Sequence, residues 1–315
     1  MLSVRSFTLL SLVLAYFMWS TGIIFIKVLI PWLGALPVMA GRMLPPLIIY
    51  LILWQKVQPE RWYPEDFKWL VLMSLCDPVI TVGMQTQALQ LTTASQSGMI
   101  FACLPLLMAV TARLVFKEAI RRRCLIGILC AFVGVNFVAL TGTPTAHAPN
   151  PLLGNFFSFC AVCALLTYTL TVKKLAARYK PYTLLCVQAI GANIVHIPLL
   201  LYFFPESSVL AAVPWYIYLA LLYIGTFPAC IGYFIVNRAI GLIKAAHVSL
   251  LNTLVPVFVL LLSHIALGER LLPLQYLGSA LVLGGALLAG LPDESDTPSA
   301  LKKATGPPKD SEPQA

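Results

Sequence analysis

Acidic side chains are the scarcest material in this chain. Aspartate and glutamate together number 12 in 315 residues, and all charged types make up only 10%. Of those acids only Asp77 stands deep inside apolar sequence. An enzyme working inside a bilayer with paired carboxylates is therefore short of its second group. The chain also lacks an HExxH zinc signature and any Gly-rich loop ending in GK[ST], and no polar stretch is long enough for a nucleotide-hydrolysing domain. ATP-driven chemistry drops out, and no metal or cofactor is expected. The eight cysteines all lie within or at the edge of apolar runs, so disulfides are not expected either. Cys160 and Cys163 make a CxxC without a second pair, which reads as small packing residues rather than a metal or redox site.

Hydrophobic residues fill the space that charge leaves. They make up 59% of the chain, and the mean hydropathy is +0.87, far beyond a water-soluble domain of ordinary composition. Since ~20 apolar residues cross a hydrocarbon core about 30 Å thick, the sequence predicts crossings near 6–28, 35–54, 68–89, 95–116, 122–141, 152–172, 182–203, 214–236, 245–266 and 273–291. The first stretch follows Arg5 but runs to Lys27 without an obvious cleavage site, and reads as a retained helix rather than a signal peptide. The polar tail 292–315 is expected to be disordered and cytoplasmic.

The net charge of +9 would suggest nucleic acid in a soluble chain, but here the cations follow alternate loops. Lys56, Arg61 and Lys68, then Lys117 and Arg121 to Arg123, then Lys173, Lys174, Arg178 and Lys180, then Arg238 and Lys244 all fall on one side. The intervening loops hold a single cation, Arg270. The positive-inside rule then places both termini in the cytoplasm.

The chain also repeats. At an offset of 151 residues Ala88 falls on Ala239, Leu91 on Leu242, Ala94 on Ala245, Pro105 on Pro256, Glu118 on Glu269, Gly127 on Gly278 and Gly134 on Gly285. Five crossings per copy is an odd number, so the copies must sit upside down relative to each other, an arrangement typical of transporters.

Each half ends in AxxLxxA, a mid-helix proline, a glutamate after the apolar run, and glycines seven apart. This pattern resembles the EamA domain of the drug/metabolite transporter superfamily, over residues 6–291. Its carriers are PLLMAVTARLVFKE (Pro105 to Glu118) with Gly127 and Gly134, and PVFVLLLSHIALGE (Pro256 to Glu269) with Gly278 and Gly285; Trp19-Ser20 and Arg42 also match. The resemblance implies an all-α integral membrane fold of ten helices in two inverted EamA repeats, 6–141 and 152–291. It also implies a bacterial inner membrane and passage of small organic solutes such as amino acids, frequently outward. Related small multidrug proteins exchange protons on a glutamate of their first helix. The first crossing here has no acid, so that scheme does not carry over.

A carboxylate near the bilayer centre costs at least ~2.5 kcal/mol on insertion scales, so Asp77 needs a reason. Asp77-Pro78 reads as N-cap and N1 of a second half-helix, breaking the third crossing. The alternative is a proton or substrate-amine site, and the two are compatible. Thr81 and Gln85 follow at four-residue steps, giving one polar face. Gln188 and His196, with Asn193 beside them, mark the seventh crossing, and His247 and Asn252 the ninth; a histidine there is also compatible with plain hydrogen-bonded packing. Arg42 either clamps a substrate carboxylate or pairs with Asp77 or helix-end carbonyls, while Lys27 is placed to snorkel. Tyr16, Trp19, Phe101 and Tyr168 either wall a cavity or face lipid and neighbouring helices. Pro105 and Pro256 are bends that line the cavity or only improve packing. Glu118 and Glu269 each close a gate by pairing with nearby arginines, or stand as solvated helix-end charges.

The function read from these features is secondary transport by alternating access, with a small-molecule solute, membrane lipid and protons as the partners and no nucleic acid. A membrane-embedded enzyme acting on lipid or peptide is the alternative. Oligomeric state is not legible.

Overall fold

The computed structural model describes residues 4–57, 61–116, 122–140, 144–146, 148–203, 207–242, 251–270 and 272–290. Glu118, His247 and the tail 292–315 lie outside them. Among the described residues every regular element is helical and there is no β-strand. Six helical stretches, within 7–33, 35–52, 64–91, 151–175, 181–202 and 215–239, are long and apolar enough to cross a membrane. Shorter apolar helices lie at Ala94–Met108, Leu125–Phe137 and Leu254–Leu267.

The main helices are α1 (Val4–Leu33), α2 (Ala35–Gly41), α3 (Leu44–Ile52), α4 (Phe67–Ser74), α5 (Thr81–Leu91), α6 (Ala94–Phe101), α7 (Leu104–Phe116), α8 (Arg122–Leu140), α9 (Pro151–Leu175), α10 (Pro181–Tyr202), α11 (Trp215–Thr226), α12 (Tyr233–Leu242), α13 (Leu254–Leu267) and α14 (Pro273–Gly290). Several are halves of one crossing. A wide turn of π type, Leu75–Ile80, joins α4 to α5, and another, Phe227–Gly232, joins α11 to α12. Each holds a proline, Pro78 and Pro228. A proline supplies no N–H, so it removes a hydrogen bond from the helical ladder and kinks or breaks the helix there. Between α2 and α3 the chain turns at Arg42 and Met43, just before Pro45 and Pro46.

Polarity is inverted relative to a soluble bundle. Phe132, Ile194 and Ile265 are about 70% exposed, whereas Ser20, Asp77, Thr86 and Ser158 are fully buried. That distribution is what a hydrocarbon solvent selects, since polar groups must find their partners inside the protein.

Packing follows an exchange between the two halves. Helix α1 packs against the α11–α12 crossing and α13, while α9 packs against the α4–α5 crossing and α6. The first helix of each half thus lies on the third and fourth segments of the other half. Around α1 the buried side chains Leu12, Tyr16, Ile26 and Leu29 meet Ile217, Ile224, Val236 and Val259. Around α9, Tyr168, Val172 and Leu175 meet Leu70, Met73 and Leu184. Helices α8 and α14 pair closely outside these two groups. A Cβ on Gly134 would collide with the carbonyl oxygen of Gly278, and one on Gly285 with that of Gly127. In lipid, where apolar side chains give no net drive for association, such close approach is what holds helices together.

At one end a clasp ties α4 to α9 and α10. Arg178 Nη1 reaches Glu65 Oε1 at 3.0 Å and Asp66 Oδ2 at 3.1 Å, Lys174 Nζ sits 3.6 Å from the centre of the Trp69 ring, and Tyr63 N donates to Tyr179 Oη. The two acids, Asp66 first, raise the Arg178 guanidinium further above its ordinary pKa, so it stays charged at any working pH.

Candidate transport site

The two helix groups face each other across a cavity of about 90 Å³. From the α1 side it is lined by Trp19, Gly22, Pro228, Tyr233, Asn252 and Pro256, from the α9 side by Asp77, Thr81, Gln85, Phe101 and Leu104, and by Arg42. Both π turns border it, through Asp77 and Pro228.

Asp77 owes its position to the break. Its backbone is extended, φ −142° and ψ 124°, in the middle of otherwise helical chain, and the bond to Pro78 is cis. The carboxylate is fully buried, yet among the described residues it accepts from no backbone N–H of the half-helix behind it. Oδ2 instead accepts hydrogen bonds from Gln188 Nε2 (2.7 Å) and Tyr233 Oη (2.9 Å), so α10 and α12 both hold it. Among the described residues Oδ1 has no hydrogen-bond partner. Thr81 turns its hydroxyl back to the Cys76 carbonyl at 2.8 Å, one of the groups the π turn frees from the regular ladder.

Arg42 is 7% exposed, and its Nε and Nη1 make no hydrogen bond among the described residues. It sits at the α2–α3 corner, fixed by its surroundings. Asn193 Nδ2 donates to the Met43 carbonyl at 2.9 Å, and Gly225 is packed onto the Arg42 carbonyl and Pro45. A second, smaller cavity of about 30 Å³ shares Arg42 and Tyr233 and continues past Pro78 and Gln188 to Tyr50.

The sequence candidates therefore separate by place. Trp19, Arg42, Asp77, Thr81, Gln85, Phe101 and Asn252 come together on the main cavity, and so does Pro256. Trp19 also donates from Nε1 to the Pro228 carbonyl at 3.0 Å, tying α1 to the π turn of the opposite half. Gln188 stands behind Asp77 and borders the smaller cavity. Tyr16 and Tyr168 are buried in the cores around α1 and α9, Tyr16 edge-on to Trp19 and Tyr168 donating to Gln188 Oε1 at 3.3 Å. His196 is buried on α10 within electrostatic range of Arg42. Pro105 lies in the first turn of α7, beside the cavity-lining Leu104. Glu269 Oε1 accepts from Ala94 N (2.9 Å), and Oε2 from Ser95 N (3.0 Å) and Ser95 Oγ (2.7 Å).

Tyr233 and Pro228 are among the cavity residues that sequence reasoning missed, together with apolar and glycine lining such as Gly22 and Leu104. The only signal for Pro228 was its distance from Pro78, 150 residues rather than 151. Among the described residues no cluster of three or more metal-ligating side chains occurs.

Comparison with known proteins agrees with this architecture. A family model described as the EamA-like transporter family matches residues 6–140 and again 152–291. The chain is 25% identical over 223 residues to the uncharacterized transporter YetK of Bacillus subtilis (strain 168), covering 70% of this chain and 64% of YetK. That match spans less than two thirds of the relative. The uncharacterized transporter sll0355 of Synechocystis sp. is 26% identical over 301 residues, 87% of each chain. One solved crystal structure superposes with a TM-score of 0.56 at 17% identity, over 88% of this chain and 98% of its own, and bears on the fold alone.

Proposed function

The chain belongs to the EamA-like transporter family, a multi-pass membrane protein family, and from that premise we propose a secondary transporter of ten crossings in two inverted halves. A small organic solute binds in the Arg42–Asp77 cavity, and the α1 and α9 groups rock about it to expose it to each side in turn. The solutes are amino acids or related metabolites, moved outward across a bacterial inner membrane, with both termini in the cytoplasm and protons as the coupling ion at Asp77.

One observation carries the reading. Two side chains of opposite charge border a single cavity, both buried, each with polar atoms that no group among the described residues satisfies. Burying a charge without full hydrogen bonding is costly, so such an arrangement is kept for what it binds. An ammonium on Asp77 Oδ1 and a carboxylate forked onto Arg42 would complete both sets. Trp19 and Phe101 supply apolar walls, while Thr81, Gln85 and Asn252 offer neutral hydrogen-bonding groups. Tyr16 and Tyr168 stiffen the wall from behind, and His196 sits beside the Arg42 end.

The test is flux into sealed proteoliposomes with a panel of amino acids, matched amines and matched carboxylates. The expected result is saturable flux for compounds carrying both groups, reduced at least roughly tenfold in Arg42→Gln. Absence of saturable flux for every compound sinks the reading. Product formation from lipid or peptide in detergent, where no compartment exists, would favour the embedded enzyme.

A further inference from the structure

Apart from the Tyr233–Asp77 bond at the cavity itself, the charged side chains that bridge the two helix groups among the described residues gather at one end. Lys27 of α1 sends Nζ to the carbonyls of Leu89 and Thr92, each at 2.6 Å, at the end of α5. Glu269, two residues past α13, receives the backbone N–H groups of Ala94 and Ser95 and the Ser95 hydroxyl, at the start of α6. A cation thus sits at a helix C-terminus and an anion at a helix N-terminus, the favourable sense for both dipoles. These end groups have no partners in their own helices.

The α5–α6 corner is itself fastened to the α9 group. Thr92 Oγ1 donates to Asn155 Oδ1 at 2.9 Å, and Asn155 Nδ2 to Gln96 Oε1 at 2.8 Å. Lys27 and Glu269 instead extend from the opposite group, α1 and α13, and lie within electrostatic reach of each other. Ser95 and Ser263 meet across the same seam, Oγ to Oγ at 2.7 Å. Beyond it opens a vestibule of about 790 Å³ lined by Lys27, Gln96, Glu269, Arg270 and Gln275. At the other end the Arg178 clasp joins elements of the α9 side only.

We propose that Lys27 and Glu269 are the outer gate of the transport path, two charged side chains of one helix group that close it by terminating the two helices of the opposing corner. The gate opens when the α1 group swings away and all five hydrogen bonds break together. Neither the Lys27 contacts nor the span between the two helix groups was evident from sequence position. The proposal rests on the transport reading, and on the cation-poor loops facing outward.

The labelling arm of its test needs no knowledge of the solute, and the flux arm uses the compound panel above. A cysteine at the cavity-lining position Val255→Cys is labelled with a membrane-impermeant maleimide, from outside in intact cells and from inside in inverted vesicles, with the parent chain as background. Lys27→Met and Glu269→Gln should each accelerate labelling from outside roughly tenfold, since each removes charge-assisted bonds from the closed state only. Ser95→Cys with Ser263→Cys keeps both charges, and on oxidation should block outside labelling and any saturable flux, with recovery under dithiothreitol. Unchanged labelling in both charge variants, acceleration only from the inside, or full flux through the oxidised pair would overturn the gate. Saturable flux with unchanged labelling would remove the gate and leave the transporter.

Discussion

Asp77 and Arg42 are both buried, each with polar atoms that have no hydrogen-bond partner among the described residues, and the proposed transport gives both charges a use. With both Asp77 contacts gathered on Oδ2, Asp77→Asn can keep its oxygen toward Gln188 and Tyr233 while losing the charge. The variant should reach the membrane in normal amounts. Flux of solutes bearing an amine should fall about ten- to a hundredfold, the range of one hydrogen bond to a charged group. Flux measured across pH 5 to 8 should also become flat, and an unaltered pH profile would remove Asp77 from proton coupling. Tyr233→Phe deletes one of the two donors, and the freed carboxylate should tolerate altered substrates better, raising KM more than it lowers maximal flux. These two charges were legible in sequence because a deep ionised group is too costly to be incidental. Tyr233 was not, since a tyrosine inside a crossing fits packing as well as binding. Helical spacing also could not tell which inward face meets the void, which is why Tyr16, Tyr168 and His196 come out buried among helices while Asn252 borders the cavity.

At the scale of the element, the informative features are interruptions. Apolar runs announce the crossings, and Asp77-Pro78 announces the break in one of them. Its counterpart at Pro228 is set among Phe227, Ala229 and Cys230, with no polar residue to draw the eye. The two π turns occupy corresponding places in the two halves, and paired interrupted helices are the strongest structural pointer to a midplane site in inverted-repeat transporters. The glycines read from sequence as helix contacts have a sharper role in the α8–α14 pair, because the obstacle to a side chain at Gly134 is the Gly278 backbone, which cannot rotate away. Gly134→Leu should therefore force the pair apart and exceed the ~1–3 kcal/mol usual for overpacking. A drop of several degrees in the detergent melting temperature, with lower membrane yield, is the expected measurement. Glu65→Ala is the contrast: with the Arg178 and Glu65 side chains 45% and 63% exposed, that arm of the clasp is screened by water while Arg178 keeps the buried Asp66, and melting should barely change.

At the scale of the whole molecule, the two halves exchange their first helices. Helix α1 lies on the third and fourth segments of the second half, and α9 on those of the first, so each half completes the other's walls. If the halves enter the bilayer from opposite faces, this exchange puts one π turn on each side of the cavity and leaves corresponding glutamates, Glu118 and Glu269, at opposite membrane surfaces. Rocking then has two symmetric end states, and a gate formed at one surface has a counterpart position at the other. The charge pattern supports that placement: Lys117 and Arg121 to Arg123 surround the first glutamate, while Arg270 alone accompanies the second. Reporter tags inserted at positions 120 and 270 should accordingly emerge in the cytoplasm and outside, respectively, active only for reporters suited to each compartment. Both tags reading from one side would mean halves of like orientation. The cavity would then have no second face to open, and alternating access between the α1 and α9 groups would fail however well Asp77 and Arg42 bind.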